Sequence, residues 1–185
     1  LFIFKNNKHL RSEGKTFKDF MLGKISNLNN KTPNIKDFEI HLATIFNEVR
    51  LKKYIEIRSL DTCEWDCHCS GPAFYTGLIY GNLDEALDII NKWKIADVLN
   101  AYSESPKKGL NSTINNKTLL EWGNIFLKLA KKGLEKRSIK NSNGDDESIF
   151  LRSVESVLIN NKNKATITIE KLKDKKNLEF LYEEI

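Results

Sequence analysis

The sequence predicts an α+β protein: part of an antiparallel sheet towards the N-terminus, followed by a predominantly helical C-terminal part. Three observations carry that prediction. Tyr54-Ile55-Glu56-Ile57-Arg58 alternates strictly between polar and apolar residues, the period-2 pattern of a strand with one buried face. Leu1-Phe2-Ile3-Phe4 reads as a second, buried strand. Leu119, Trp122, Phe126, Leu129, Ala130 and Gly133 form one helical stripe, with Lys128, Lys131, Lys132 and Lys136 largely off it. The chain divides on this basis into a strand-containing segment, 1–70, and a helical segment, 71–185.

The elements follow in order. After the first strand, Asn6-Asn7 makes a turn, with a return at His9-Leu10. Thr16 caps a short helix bearing Phe17, Phe20 and Met21, stopped by Gly23. Residues 27–33 form a polar loop. Ile35, Phe38, Leu42 and Ile45 follow helical spacing up to Phe46, with His41 and Thr44 on or beside the stripe. Residues 49–60 form the strand region. Gly71-Pro72 interrupts the chain, and Pro72 suits the first turn of a helix that runs to Gly81. Asn82 or Asp84 starts another, with Ala86, Leu87, Ile90 and Trp93 on its apolar face. Residues 95–102 are helical and 103–116 a loop containing Pro106 and Gly109. Residues 141–144 turn, Asp145 caps a helix carrying Phe150, Val154, Val157 and Leu158, and an amphipathic segment covers 165–172. A short helix is expected at 178–185.

Length and composition set bounds. The 185 residues, 40% hydrophobic and 30% charged, are those of a globular chain able to bury about two-thirds of its unfolded surface. No apolar run approaches the roughly 20 residues of a bilayer span, and no signal peptide is evident. The expectation is a cytoplasmic protein with no membrane partner. The net charge of +5 comes from Lys spread along the chain. No Arg-rich arm, RNP-like aromatic pattern or zinc-finger spacing accompanies it, so no nucleic-acid partner is expected. Because the chain opens inside a strand, a missing N-terminal half is expected.

The strand face is the first chemical constellation. Residues two apart on a strand lie roughly 6–7 Å apart on one face. Extended backwards, the parity adds Arg50 and Lys52 to Tyr54, Glu56 and Arg58. A carboxylate beside guanidinium groups suits a divalent metal held next to a phosphate, and equally suits a cross-strand ion pair. In a Lys-biased chain, Arg50 and Arg58 point to planar, bidentate recognition of carboxylate or phosphate.

Cys63, Cys67, His68 and Cys69 invite a zinc reading. Three consecutive ligands close one tetrahedron poorly, however, and no second ligand pair follows. A Cys63–Cys67 or Cys63–Cys69 disulfide is possible, but without an export signal reduced thiols lining a turn are expected. No P-loop or dinucleotide fingerprint is present.

The order of residues adds a resemblance. The run from His41-Leu-Ala-Thr-Ile-Phe-Asn-Glu-Val-Arg50 through Leu-Lys-Lys-Tyr-Ile-Glu56-Ile-Arg58 resembles the signature of plant and proteobacterial glutamate–cysteine ligases. Trp65, Pro72-Ala73-Phe74-Tyr75-x-Gly77-Leu78, Gly133-Leu134, Arg137, Gly144 and residues 147–151 extend it. Asn47, Ala43 and Cys63-Glu64 depart from the family pattern. The 54–61 strand also resembles that of the enterobacterial ligases, a more distant branch in which the Glu is a magnesium ligand and the Arg contacts ATP phosphate.

The resemblance implies a glutamine-synthetase-like antiparallel sheet, of which this chain supplies the last strands. It implies ATP and Mg²⁺ as cofactors and L-glutamate and L-cysteine as substrates, joined through an acyl phosphate to give γ-glutamylcysteine, the first step of glutathione biosynthesis. Glu56 would be the metal ligand, Arg58 the catalytic and nucleotide contact, and Arg50, Tyr54, Thr44 and Trp65 the substrate contacts. The other metal and nucleotide ligands would belong to the N-terminal half, so the 185-residue piece is expected to be inactive alone. Two alternatives stand beside this: a related carboxylate–amine ligase with another acceptor, and a non-enzymatic basic helical module.

Overall fold

The computed structural model describes the chain apart from residues 1, 6, 7, 13, 30, 62, 64 and 175–185. The expected helix at 178–185 lies outside the described residues. The chain separates into two compact units, Leu1–Leu60 and Asp61–Ile185. It is α+β, and among the described residues every sheet is a two-stranded antiparallel hairpin.

In the first unit, β1 (Phe2–Lys5) pairs with β2 (Lys8–Arg11) in the register Ile3↔Leu10. Ile3 buries against Phe20, Ile25 and Leu28. Helix α1 (Phe17–Met21) starts at Thr16, whose hydroxyl accepts from the Asp19 amide while the Asp19 carboxylate accepts from the Thr16 amide. This reciprocal box satisfies donors that a helix start leaves open. Helix α2 (Ile35–Ala43) repeats the device with Asn34 and Asp37. Its apolar residues up to Leu42 are helical as expected, but the helix ends at Ala43 and leaves Ile45 and Phe46 beyond it; no residue of α2 is buried, and Ile35 is 74% exposed.

The 49–60 region differs from its sequence reading. It is a hairpin of β3 (Val49–Leu51) and β4 (Ile55–Ile57), paired Val49↔Ile57, Arg50↔Glu56 and Leu51↔Ile55. The turn is centred on Lys53, where the Lys52 amide donates to the Tyr54 carbonyl at 2.8 Å. Reversal about a single central residue keeps odd and even positions on the same faces. Parity alone therefore does not distinguish one long strand from this hairpin.

The second unit is helical. A 3₁₀ turn at Trp65–Cys67 leads into α3 (Ser70–Thr76), which continues as a π-helical turn, Gly77–Gly81. Pro72 sits in the first turn, as expected. Asn82 then heads α4 (Leu83–Ile90), and its side-chain amide donates to the Leu129 carbonyl. Helix α5 (Ile95–Lys108) runs through Pro106 and six residues beyond its predicted end at Tyr102. Pro106 brings no N–H to the Tyr102 carbonyl, and the Ser105 hydroxyl donates to that carbonyl instead. A further hairpin occupies the predicted loop: β5 (Thr113–Ile114) and β6 (Lys117–Thr118) turn through Asn115 and Asn116, both at positive φ.

Helix α6 (Leu119–Arg137) is the axis of this unit, capped by Thr118 and Glu121 in the same reciprocal box. The predicted helix after Asp145 is instead capped by Asp146. It begins as a 3₁₀ segment, Glu147–Leu151, before α7 (Arg152–Asn160). Helix α8 (Lys164–Asp174) closes the described chain.

Two cores form around α6. One holds Ala73, Leu127, Ala130, Leu134, Leu151 and Leu158, the other Ala101, Ile114 and Trp122. Gly77 and Gly133 let α6 and the π-helical turn touch backbone to backbone. A Cβ at Gly133 would collide with the Gly77 carbonyl, and one at Gly77 with the Ala130 carbonyl.

Candidate active site

The β3–β4 hairpin sets one carboxylate among cations. The pairing places Arg50 opposite Glu56. Arg50 Nε donates to Glu56 Oε2 at 2.8 Å, and its Nη2 approaches the same oxygen at 2.7 Å. The remaining Arg50 nitrogen donates to the Ala43 carbonyl at 3.2 Å, tying the hairpin to the end of α2. Lys52 Nζ lies 3.6 Å from Glu56 Oε2. The pair is half-sheltered, with 16% of the Arg50 side chain and 30% of the Glu56 side chain exposed. The hydrogen bond from Arg50, against a smaller desolvation cost and with further help from the nearby cations, holds the Glu56 carboxyl below its ordinary value.

Arg58 follows β4. Its amide donates to the Glu48 carbonyl at 2.8 Å, and its guanidinium sits 4.9 Å from the centre of the Phe46 ring. Stacking on an aromatic face orients a guanidinium while leaving its edge donors directed outward. Lys52 stands 6.0 Å from the Tyr54 ring centre, and Tyr54 is exposed at the turn.

Beside the pair lies a cleft of about 490 Å³, lined by Leu42, Ala43, Ile45, Asn47 and Glu39 together with Arg50 and Lys52. It offers two cations, one acid and an apolar floor.

The predicted site residues are only partly assembled. Arg50, Tyr54, Glu56 and Arg58 gather at one hairpin. Thr44 ends α2, and its hydroxyl donates to the His41 carbonyl at 2.8 Å; it serves its own helix. Trp65 belongs to the second unit, 85% exposed, with its ring 5.6 Å from that of His68. The Arg50 fork, expected to clamp a substrate carboxylate, holds the carboxylate of Glu56. Phe46, Glu39 and Asn47 were missed. An aromatic four residues ahead of Arg50 and the polar residues around the α2 stripe were the available signals, but stripe analysis assigns such positions to packing or solvent.

The thiols also differ from expectation. Cys63 and Cys67 form a disulfide across a Cα–Cα distance of 6.1 Å, within the span a disulfide bridges. Cys69 is a free, exposed thiol. Among the described residues no group of three His, Cys, Asp or Glu is placed to hold a metal. Mg²⁺ binds through carboxylates, substrate phosphates and water. Glu56, already partnered by Arg50 and Lys52, offers one such ligand, and the described residues do not build a magnesium site by themselves.

Fold and site together define an α+β protein with a cationic strand hairpin suited to carboxylate and phosphate. The comparisons with known proteins make this specific. The family model "Glutamate-cysteine ligase family 2(GCS2)" matches residues 6–183, and the chain belongs to that family. It is 36% identical over 159 residues to "Glutamate--cysteine ligase, chloroplastic" of Solanum lycopersicum, covering 85% of this chain and 29% of the relative. The protein of the same name from Arabidopsis thaliana is 37% identical with the same coverages, and that of Nicotiana tabacum 35% identical. The chain thus spans less than a third of the length of these relatives. Their names also overturn the expectation of a cytoplasmic protein, because all three are described as chloroplastic. The lack of an evident signal peptide was a poor guide to compartment in a chain matching so little of its relatives. Among the described residues no helix is long and apolar enough to cross a membrane.

Proposed function

We propose that this chain is part of an ATP-dependent glutamate–cysteine ligase of the plastid, acting in glutathione biosynthesis. The observation that carries the reading is the gathering of Arg50, Lys52, Glu56 and Arg58 on one hairpin inside the segment matched by the family. The proposed reaction joins the γ-carboxylate of L-glutamate to the amine of L-cysteine. A carboxylate is a poor electrophile. Transfer of the ATP γ-phosphoryl group to it makes an acyl phosphate, which the amine attacks with release of phosphate.

Such a transfer depends on fixed positive charge around the moving phosphoryl group. In this reading Arg58, steadied on Phe46, contacts the transferring phosphate. Arg50 and Lys52 keep Glu56 ionised and face the cleft where an amino acid binds; Thr44, Tyr54 and Trp65 are assigned to the substrate by the family resemblance alone. Glu56 would contribute one carboxylate to a magnesium site whose other ligands would come from the rest of the ligase, and Mg²⁺ held there would supply charge neutralisation on ATP. The glutamine-synthetase-like sheet belongs to the same proposal: β3 and β4 are two of its strands.

The test is Glu56→Gln in a complete ligase carrying this segment. Ligation is expected to be abolished, read as ADP release in a coupled assay with glutamate and cysteine. Near-normal turnover would overturn the assignment of Glu56.

A further inference from the structure

The turn between α6 and the 3₁₀ segment before α7 carries a chemistry that the ligase reading does not use. Asn143-Gly144 is the sole Asn-Gly pair in the sequence. The turn is held by its own atoms. The Gly144 amide donates to the Asn141 carbonyl at 3.1 Å, and the Asn141 amide to the Asp145 carbonyl at 2.9 Å. The Asn141 side-chain oxygen accepts from the Asn143 and Asp145 amides at 2.9 and 3.0 Å. Lys140 and Asp146 close the turn as an isolated antiparallel bridge. All five residues from Asn141 to Asp145 are exposed. Among the described residues the Asn143 side chain has no hydrogen-bond partner, its only bond being that of its main-chain amide. Glycine puts no Cβ beside its own amide nitrogen, and at Gly144, with φ +86°, nothing lies within 4 Å of where a Cβ would stand.

We propose that Asn143 is a site of spontaneous covalent modification, cyclising onto Gly144 to give aspartate and isoaspartate. The Gly144 nitrogen, having given its proton to solvent, attacks Asn143 Cγ. The N–Cγ bond forms, the Cγ–Nδ2 bond breaks, and the amide takes up a proton and leaves as ammonia. Water then opens the five-membered imide. Attack at Cγ restores the ordinary peptide bond and yields aspartate. Attack at the main-chain carbonyl leaves the chain routed through Cγ and yields isoaspartate. No co-reactant other than water takes part. The first step requires the Gly144 amide to leave the Asn141 carbonyl. That opening involves a few exposed residues and no buried apolar side chain, so it lies at the cheap end of native-state openings. Isoaspartate adds one carbon to the main chain between positions 143 and 144 and puts the Asn141 acceptor out of step with the Asp145 amide. The altered chain leads straight to Asp146, whose carboxylate accepts from the Ser148 amide at 2.8 Å, and to Glu147, paired with Arg137 at the end of α6. The product is an exposed isoaspartyl carboxylate, a substrate for methyl transfer from S-adenosylmethionine.

The experiment incubates the full chain at neutral to mildly alkaline pH, digests it with trypsin, and reads the peptide that follows Lys140 by fragmentation mass spectrometry. Conversion of amide to acid is expected at Asn143, at least about tenfold faster than at Asn141 in the same peptide, where Ser142 places a Cβ beside the attacking nitrogen. The aged chain is expected to accept methyl groups from S-adenosylmethionine in the presence of an L-isoaspartyl methyltransferase. Asn143→Gln is expected to remove both signals. Equal conversion of Asn141 and Asn143 overturns the proposal by denying Gly144 its part. An unchanged Asn143 in the folded chain, while a free peptide of the same sequence converts, overturns it by showing that the turn locks the amide. Conversion at Asn143 without methyl acceptance overturns the isoaspartate product. None of these outcomes depends on ligase activity, so the functional reading stands or falls separately.

Discussion

The two units treat the same kind of sequence pattern in opposite ways. In the second, α6 is covered: Trp122, Ala130 and Gly133 of its stripe are buried, as are Leu127 and Leu134 beside them. In the first, the stripe on α2 has regular spacing and an equally good cap, yet Ile35, Phe38 and Leu42 stay exposed. Helical periodicity reports that a face is apolar. It does not report whether the covering layer lies in the same stretch of chain. The second unit covers the α6 stripe from within itself, although Leu87, Ile90 and Leu99 of its other helices stay exposed, whereas the first presents a polar site and an uncovered α2 stripe together.

Substitutions sharpen this contrast, beginning with the largest effect. Leu134→Ala in the fully buried core of the second unit is expected to cost about 2–5 kcal/mol, measured by denaturant unfolding followed through Trp122. Thr118→Ala removes the hydroxyl that accepts from the Glu121 amide and is expected to cost about 1 kcal/mol in the same measurement. Leu42→Ala on the exposed stripe of α2 is expected to change stability of this chain by less than about 0.5 kcal/mol. A large loss there would show that the first unit already buries its stripe, and the contrast would break.

Acid gives a finer probe of the site. The Glu56 carboxyl is held below its ordinary value of 4.5, chiefly by the Arg50 hydrogen bond. A depressed carboxyl contributes stability where the unfolded carboxyl is ionised, above about pH 4.5, and loses it as pH falls through the lower folded value. Titration of Glu56 by carbon-13 NMR is expected to show that lowered value. Arg50→Met is expected to return it towards 4.5, and an unchanged value would deny Arg50 its role. The effect on stability is small, because the site is open to solvent.

Much of this was legible in advance, for reasons tied to particular residues. Thr16 reads as a cap because a hydroxyl residue stands just ahead of Phe17, Phe20 and Met21, and the α6 stripe reads as helix because Leu119 to Gly133 keep one period. The hairpin at 49–57 did not read as one because its turn preserves parity. The extension of α5 past Pro106 depended on a side-chain donor, Ser105, that no periodicity reveals. Of the site, Arg50, Glu56 and Arg58 were visible as types. Their pairing was not, since a cross-strand partner six residues away looks the same as a neighbour on one extended face.

The contact between Gly77 and Gly133 has a consequence for how this sequence can change. Every amino-acid replacement at either position adds at least a Cβ, and each Cβ meets main-chain atoms that no rotamer change can move aside. Exposed Lys and Asn positions away from such contacts tolerate replacement at little cost in stability. At the crossing of α6 and the π-helical turn, no single codon change that alters the residue is silent to the fold, so that point is mutationally landlocked while the surface around it is free to wander.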